Sequence, residues 1–145
     1  MLTHHRRPIC LSLFSTDLPI CSTIEAAATL YQKDRQRFHL LIYQSELPQQ
    51  DGKLLWLEIS PYRAIMTMQG KEQLAYRHFW EPGVYGISRY WLNNMQEGRA
   101  LRLRNYTRSL QLEGSPLPKH LRVEYELWTE NVQLGNYILH LEIYH

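Results

Sequence analysis

Residues 120–145 constrain the fold more than any other stretch. In HLRVEYELWT (120–129) and NYILHLEIYH (136–145), the odd positions are apolar: Leu121, Val123, Tyr125 and Leu127, then Tyr137, Leu139, Leu141 and Ile143. The even positions are polar: Arg122, Glu124 and Glu126, then His140 and Glu142. A period of two puts each set on one face of a strand. With ENVQLG between them, the two runs form a hairpin with one wet and one dry face. Slipping the register by one residue would invert every side chain, so the pairing is firmly specified.

Upstream, the same period recurs. FHLLIYQ (38–44) and LLWLEI (54–59) flank a polar loop with turn chemistry at Pro48 and Asp51-Gly52. RAIMTMQ (63–69), QLAYRHFW (73–80) and VYGISRYWLN (84–93) follow, the last ambiguous between strand and helix. RALRLRNYTRSLQLE (99–113) reads as a long strand whose apolar side switches midway. A bulge near Asn105 to Arg108 explains the switch, because one extra residue exchanges the faces.

One segment carries helix signals. STIEAAATLYQKDRQ (22–36) opens with Ser22 and Glu25 in capping-box spacing. Ile24, Ala27, Ala28 and Tyr31 share a face at helical spacing. The expected fold is therefore α+β: one N-terminal helix on a strongly curved antiparallel meander of about 6–8 strands. The sheet is either open or closed into a barrel. Residues 1–8 are expected to be a flexible arm, with ICLSLFS (9–15) a short strand. Residues 9–145 are expected to form a single globular domain, as size priors suggest.

This helix-and-meander outline resembles the small lipocalin-like barrels, including the pigment-attachment lyases of that architecture, in its number of strands. The Gly-x-Trp signature of lipocalins near the first strand is absent. The resemblance implies a fold alternative and assigns no residue a role.

Composition narrows the function. A net charge of +2 points neither to nucleic acid nor to a membrane surface. No apolar run approaches the ~18 residues of a transmembrane helix, and the basic start MLTHHRRPICLSLF lacks a cleavage signal. Cys10 and Cys21 read as reduced, buried or near-buried thiols rather than a disulfide framework. A cytoplasmic location is the expectation. The histidines fall on separate predicted strands with no zinc-motif spacing, so neither a metal nor a cofactor is expected. GxSxG, GxxxxGK[ST], GxGxxG and HExxH are absent, which leans against an enzyme.

Two constellations remain. YRHFWEPGVYGISRYW (76–91) is dense in aromatic residues, and its Pro82-Gly83 turn pushes the flanks to the sheet rim. Arg77, His78, Trp80, Arg89, Tyr90 and Trp91 are the candidate partner- or ligand-binding set, being of the types enriched at binding hot spots. Arg99, Arg102, Arg104 and Arg108, with Tyr106 among them, form a candidate patch for an anionic partner. The competing reading of that patch is internal pairing with the glutamates of the C-terminal hairpin.

These features favour a non-enzymatic protein-binding module, an assembly or accessory factor of a larger complex. The alternative is a barrel holding a small apolar or pigment-like ligand, lined by Trp56, Met66, Met68 and Trp80. A third reading is single-stranded nucleic-acid binding through the Arg102–Arg108 strand.

Overall fold

The computed structural model describes residues 3–44, 53–69, 75–91 and 101–145. Ten antiparallel strands run in chain order: β1 (Thr3–Ser15), β2 (Cys21–Gln32), β3 (Phe38–Gln44), β4 (Lys53–Ile59), β5 (Ala64–Gln69), β6 (Ala75–Trp80), β7 (Tyr85–Trp91), β8 (Leu101–Glu113), β9 (His120–Thr129) and β10 (Val132–Ile143). Each pairs with its sequence neighbours, and β1 pairs with β10, so the sheet closes into a barrel. Closure leaves no unpaired sheet edge.

The fold is therefore all-β and closed, with ten strands rather than six to eight. No helix occurs among the described residues, so none is long and apolar enough to cross a membrane. The expected helix at 22–36 is strand β2. Read with a period of two, Ile24, Ala26, Ala28 and Leu30 turn inward, while Thr23, Glu25 and Ala27 turn outward. The alanine run satisfies both periods, and Thr23, Ile24, Thr29 and Tyr31 suit a strand. Pairing decides between them: β2 is matched to β1 from Phe14↔Cys21 to Thr3↔Gln32. That ladder overrides a local helix preference worth only tenths of a kcal/mol per residue.

The same ladder includes residues 3–8 of the expected arm. Thr3 to Pro8 belong to β1, opposite Gln32 to Ala27. Of the thiols, only Cys21 departs from expectation, by its exposure. Cys10 is half-buried, Cys21 is exposed, and both are free. Both segments at 38–44 and 54–59 pair as expected, with Leu40↔Leu57 and Ile42↔Leu55 facing the core. The turn at Pro48 and Asp51-Gly52 lies outside the described residues.

The core fills the barrel. Leu30, Leu40, Ile42, Leu57, Leu121, Val123, Leu139 and Leu141 are among its most deeply buried members. Each such side chain contributes roughly 1.5–3 kcal/mol by leaving water. In β8 the register shifts between Thr107 and Ser109. Leu103, Asn105 and Thr107 face inward before the shift, and Leu110 and Leu112 pack on the core after it. The β6–β7 turn docks at this bulge, where Gly83 donates its backbone N–H to the Thr107 carbonyl at 3.0 Å. Gly83 has a φ of 75°, which a residue with a Cβ adopts only with strain.

Candidate functional site

Strands β6, β7 and β8 differ from the rest of the inner wall. Elsewhere the buried inward positions are mostly aliphatic. Here they include Tyr76, His78 and Trp80 on β6, Gly86, Ser88 and Tyr90 on β7, and Asn105 and Thr107 beside Leu103 on β8. His78, Ser88, Asn105 and Thr107 are buried, and Trp80 is 0% exposed.

The register brings them together. His78 stands opposite Ser88, and Gly86 opposite Asn105. Asn105 Nδ2 donates to Ser88 Oγ at 2.8 Å, and Ser88 Oγ lies 2.7 Å from His78 Nδ1. Ser88 accepts from Asn105 and shares one proton with His78 Nδ1, while His78 Nε2 faces the Tyr90 hydroxyl at 3.5 Å. His78 is stacked on Trp80, with ring centroids 5.1 Å apart and planes 5° from parallel. Tyr125 of β9 packs on Trp80 at 5.1 Å, and Tyr137 of β10 stacks on Tyr125 at 5.5 Å.

Electrostatics keep this cluster neutral. Burial pushes the His78 pKa down to about 4. Burial also raises Tyr76 and Tyr90, and holds Tyr125 well above the ordinary phenol range. No Asp, Glu, Lys or Arg is fully buried among the described residues. The His78–Ser88 contact has the reach of a base–nucleophile pair. A His at pKa about 4 is a feeble base, and Ser88 is 0% exposed. The pair is a hydrogen-bond chain across two strands.

The chain is incomplete. Trp80 Nε1, Asn105 Oδ1 and Thr107 Oγ1 are buried without a hydrogen-bond partner, as is Arg89 Nε on the outward side of β7. Each such atom carries a desolvation cost of about 1–3 kcal/mol until something bonds to it.

Gly86 makes room for the arrangement. A Cβ there would lie 2.4 Å from the Phe79 carbonyl oxygen and 3.0 Å from Asn105 Oδ1. Gly86→Ala must therefore push β6 from β7 or displace Asn105. The expected cost is about 1–3 kcal/mol, read from denaturation midpoints. An unchanged midpoint would refute the close approach.

The aromatic set expected from sequence divides between two faces. His78, Trp80 and Tyr90 point inward, whereas Arg77, Arg89 and Trp91 alternate outward. A single rim built from all six is not what the strands form. Of the four expected lining residues, Met66, Met68 and Trp80 belong to the inner wall, while Trp56 is 38% exposed. Ser88, Asn105 and Thr107 escaped the sequence reading. Their signal was phase, since Asn105 and Thr107 continue the Leu101–Leu103 side of β8.

The arginine strand is mixed. Arg108 Nε lies 3.9 Å from Glu126 Oε2, the cross-strand pairing anticipated. Arg104 donates to the Glu130 carbonyl and lies over the Tyr85 ring at 5.3 Å. Tyr106 stands opposite Tyr85 and packs against it. Arg102 faces Arg89, which in turn faces Arg77. Arg99 lies outside the described residues.

Between the β2–β3 and β4–β5 turns, at the end of the barrel that also carries the β6–β7 turn, is a groove of about 330 Å³. Its charges are largely matched already, with Arg37 Nε 2.6 Å from Asp34 Oδ2 and His39 Nε2 3.9 Å from Glu58 Oε1.

No protein-family model matches the chain, and no curated protein matches it. Among solved structures, the ywiB protein from Bacillus subtilis is similar, with a TM-score of 0.63 and 13% sequence identity. The match covers 99% of this chain and 94% of that one. At that identity the likeness shows the fold alone.

Proposed function

We propose that the chain is a ligand-binding barrel. Its inner wall at β6–β8 takes a small, uncharged, aromatic or largely apolar molecule with hydrogen-bonding groups. The observation that carries this reading is the three inward-facing members of the four buried, unpartnered polar atoms: Trp80 Nε1, Asn105 Oδ1 and Thr107 Oγ1. They offer two donors and two acceptors on β6 and β8, either side of β7, counting the hydroxyl as both. Aromatic faces surround them, and such surfaces with a few placed polar groups are the usual lining of small-molecule sites. The ligand is neutral because an ion would lie among apolar side chains with no opposite charge to meet it. The free thiols suit a reducing compartment, which supports a cytoplasmic place of action.

The test compares native and denaturing mass spectra of protein isolated gently from its host. A small-molecule mass present only in the native spectrum, and lost in Asn105→Leu with the fold retained, is the expected result. A bare chain in both spectra, with no uptake of neutral aromatic fragments at millimolar concentration, would overturn the reading.

A protein-binding role has an observation of its own. Arg77, Arg89 and Arg102 stand in one row on the outer wall, each directly opposite the next. Like charges opposite one another are destabilising, and an acidic partner would relieve them. An assembly or accessory role would therefore use the outer wall and leave the interior site intact.

A further inference from the structure

The outer face of the C-terminal hairpin holds a second constellation, on the wall opposite in facing to the proposed ligand site and independent of it. His120 stands directly across from Glu142, and His140 lies two residues before Glu142 on the same face of β10. The imidazoles of His120 and His140 meet edge-on, with centroids 4.2 Å apart and planes at 66°. Their Nε2 atoms face each other within hydrogen-bonding reach. One ligand atom from each of His120, His140 and Glu142 lies within 4.8 Å of the others. All three residues are half-buried, so they are held by their surroundings while remaining open to solvent on one side.

We propose that His120, His140 and Glu142 form a binding site for a borderline divalent transition metal, with Zn²⁺ as the type ion. Two imidazole nitrogens and one carboxylate are a zinc donor set, and three protein ligands leave one position for water. Nitrogen donors disfavour Mg²⁺ and Ca²⁺, which take oxygen. Side-chain torsion, with the strands fixed, can bring the three atoms around an ion with bonds of about 2.0–2.2 Å.

The surroundings are those of a supported metal site. Glu113 Oε2 lies 4.0 Å from His120 Nδ1, on the far side of the ring from the proposed ion. At that separation the carboxylate acts on the ring by charge, and a small torsion would bring it to the hydrogen bond that orients a ligating histidine. Tyr144 donates its hydroxyl to Glu142 Oε2 at 2.8 Å, which steadies the carboxylate. Arg122, opposite His140, is engaged by Glu124 and is thereby partly neutralised.

Calorimetric titration of the chelator-treated full chain with Zn²⁺ alone tests the site, and Mg²⁺ serves as the control. One equivalent of Zn²⁺ should bind, with no saturable heat from Mg²⁺. His120→Ala and His140→Ala should each weaken binding by more than tenfold. Glu113→Gln should weaken it less, by up to about tenfold, as supporting residues do. All three positions lie on the outer wall, so circular dichroism should report an unchanged fold. Co²⁺ should give the visible absorption of a nitrogen- and oxygen-ligated ion, absent in His140→Ala. The terminal histidines are the competing source, and a His4→Ala/His5→Ala variant should bind as the parent does. No saturable Zn²⁺ binding, or binding untouched by His120→Ala and His140→Ala, would overturn the proposal.

Discussion

Replacing Trp80 by alanine is expected to cost about 3–5 kcal/mol of folding stability, the range for removing a buried tryptophan. The indole is 0% exposed, stacks on His78 and packs against Tyr125. Removing it opens a void between β6 and β9 and strips His78 of its stacking partner. A chain of this size is held by roughly 5–15 kcal/mol in all, so the variant is left near its unfolding threshold. Urea denaturation of parent and variant measures the difference directly. Trp80→Phe separates packing from polarity. It keeps an aromatic ring in place and deletes the unpartnered N–H. It should cost less than about 1.5 kcal/mol, because the lost donor satisfied nothing inside the protein. Under the ligand reading, the same variant binds the ligand more weakly. A loss as large as that of Trp80→Ala would show that Nε1 has a partner within the chain.

The second large effect is a loss of stability in mild acid. His78 has a folded pKa of about 4, held down by burial, against an ordinary value of 6.5. As the pH falls, the unfolded chain takes up this proton first. Between about pH 6.5 and pH 4 the unfolded state therefore binds more protons, and stability falls with pH. The loss is complete below the folded pKa and amounts to about 3 kcal/mol. His39 and His140 are also shifted down by desolvation and act in the same direction, from less buried positions. Urea midpoints across this range should decline steeply in the parent and much less in His78→Gln. Parallel declines in the two proteins would remove His78 as the cause.

Sequence legibility followed the strength of local pattern. The C-terminal hairpin was legible where it alternates, and Leu121, Val123, Leu139 and Leu141 all reach the core; the start of β10 at Val132 and its register shift between Gln133 and Gly135 were not. The bulge in β8 was legible from the switch in its apolar side. Strand β2 was misread because alanine fits both periods and Ser22/Glu25 mimics a cap. What decided its state was pairing with β1, a contact invisible to local spacing. The inner polar cluster was hidden for a different reason. Ser88, Asn105 and Thr107 look like ordinary solvent-facing residues until closure turns their face into an interior. The His120–His140 pair was missed because twenty residues of chain separate the two, and only the hairpin register joins them.

Closure of the barrel also sets an order of events. The seam pairs Ile9 with Ile143 and Leu11 with Leu141, from opposite ends of the described chain. Until β10 has been synthesised, β1 can pair only with β2, and the growing sheet has two raw edges. Those edges are templates for neighbouring chains, and contacts so distant in sequence form slowly. During translation the nascent sheet therefore stays open, its inner wall exposed, until its final strand leaves the ribosome. Any ligand of the inner wall meets its widest point of access in that interval, before the last strand seals the cylinder.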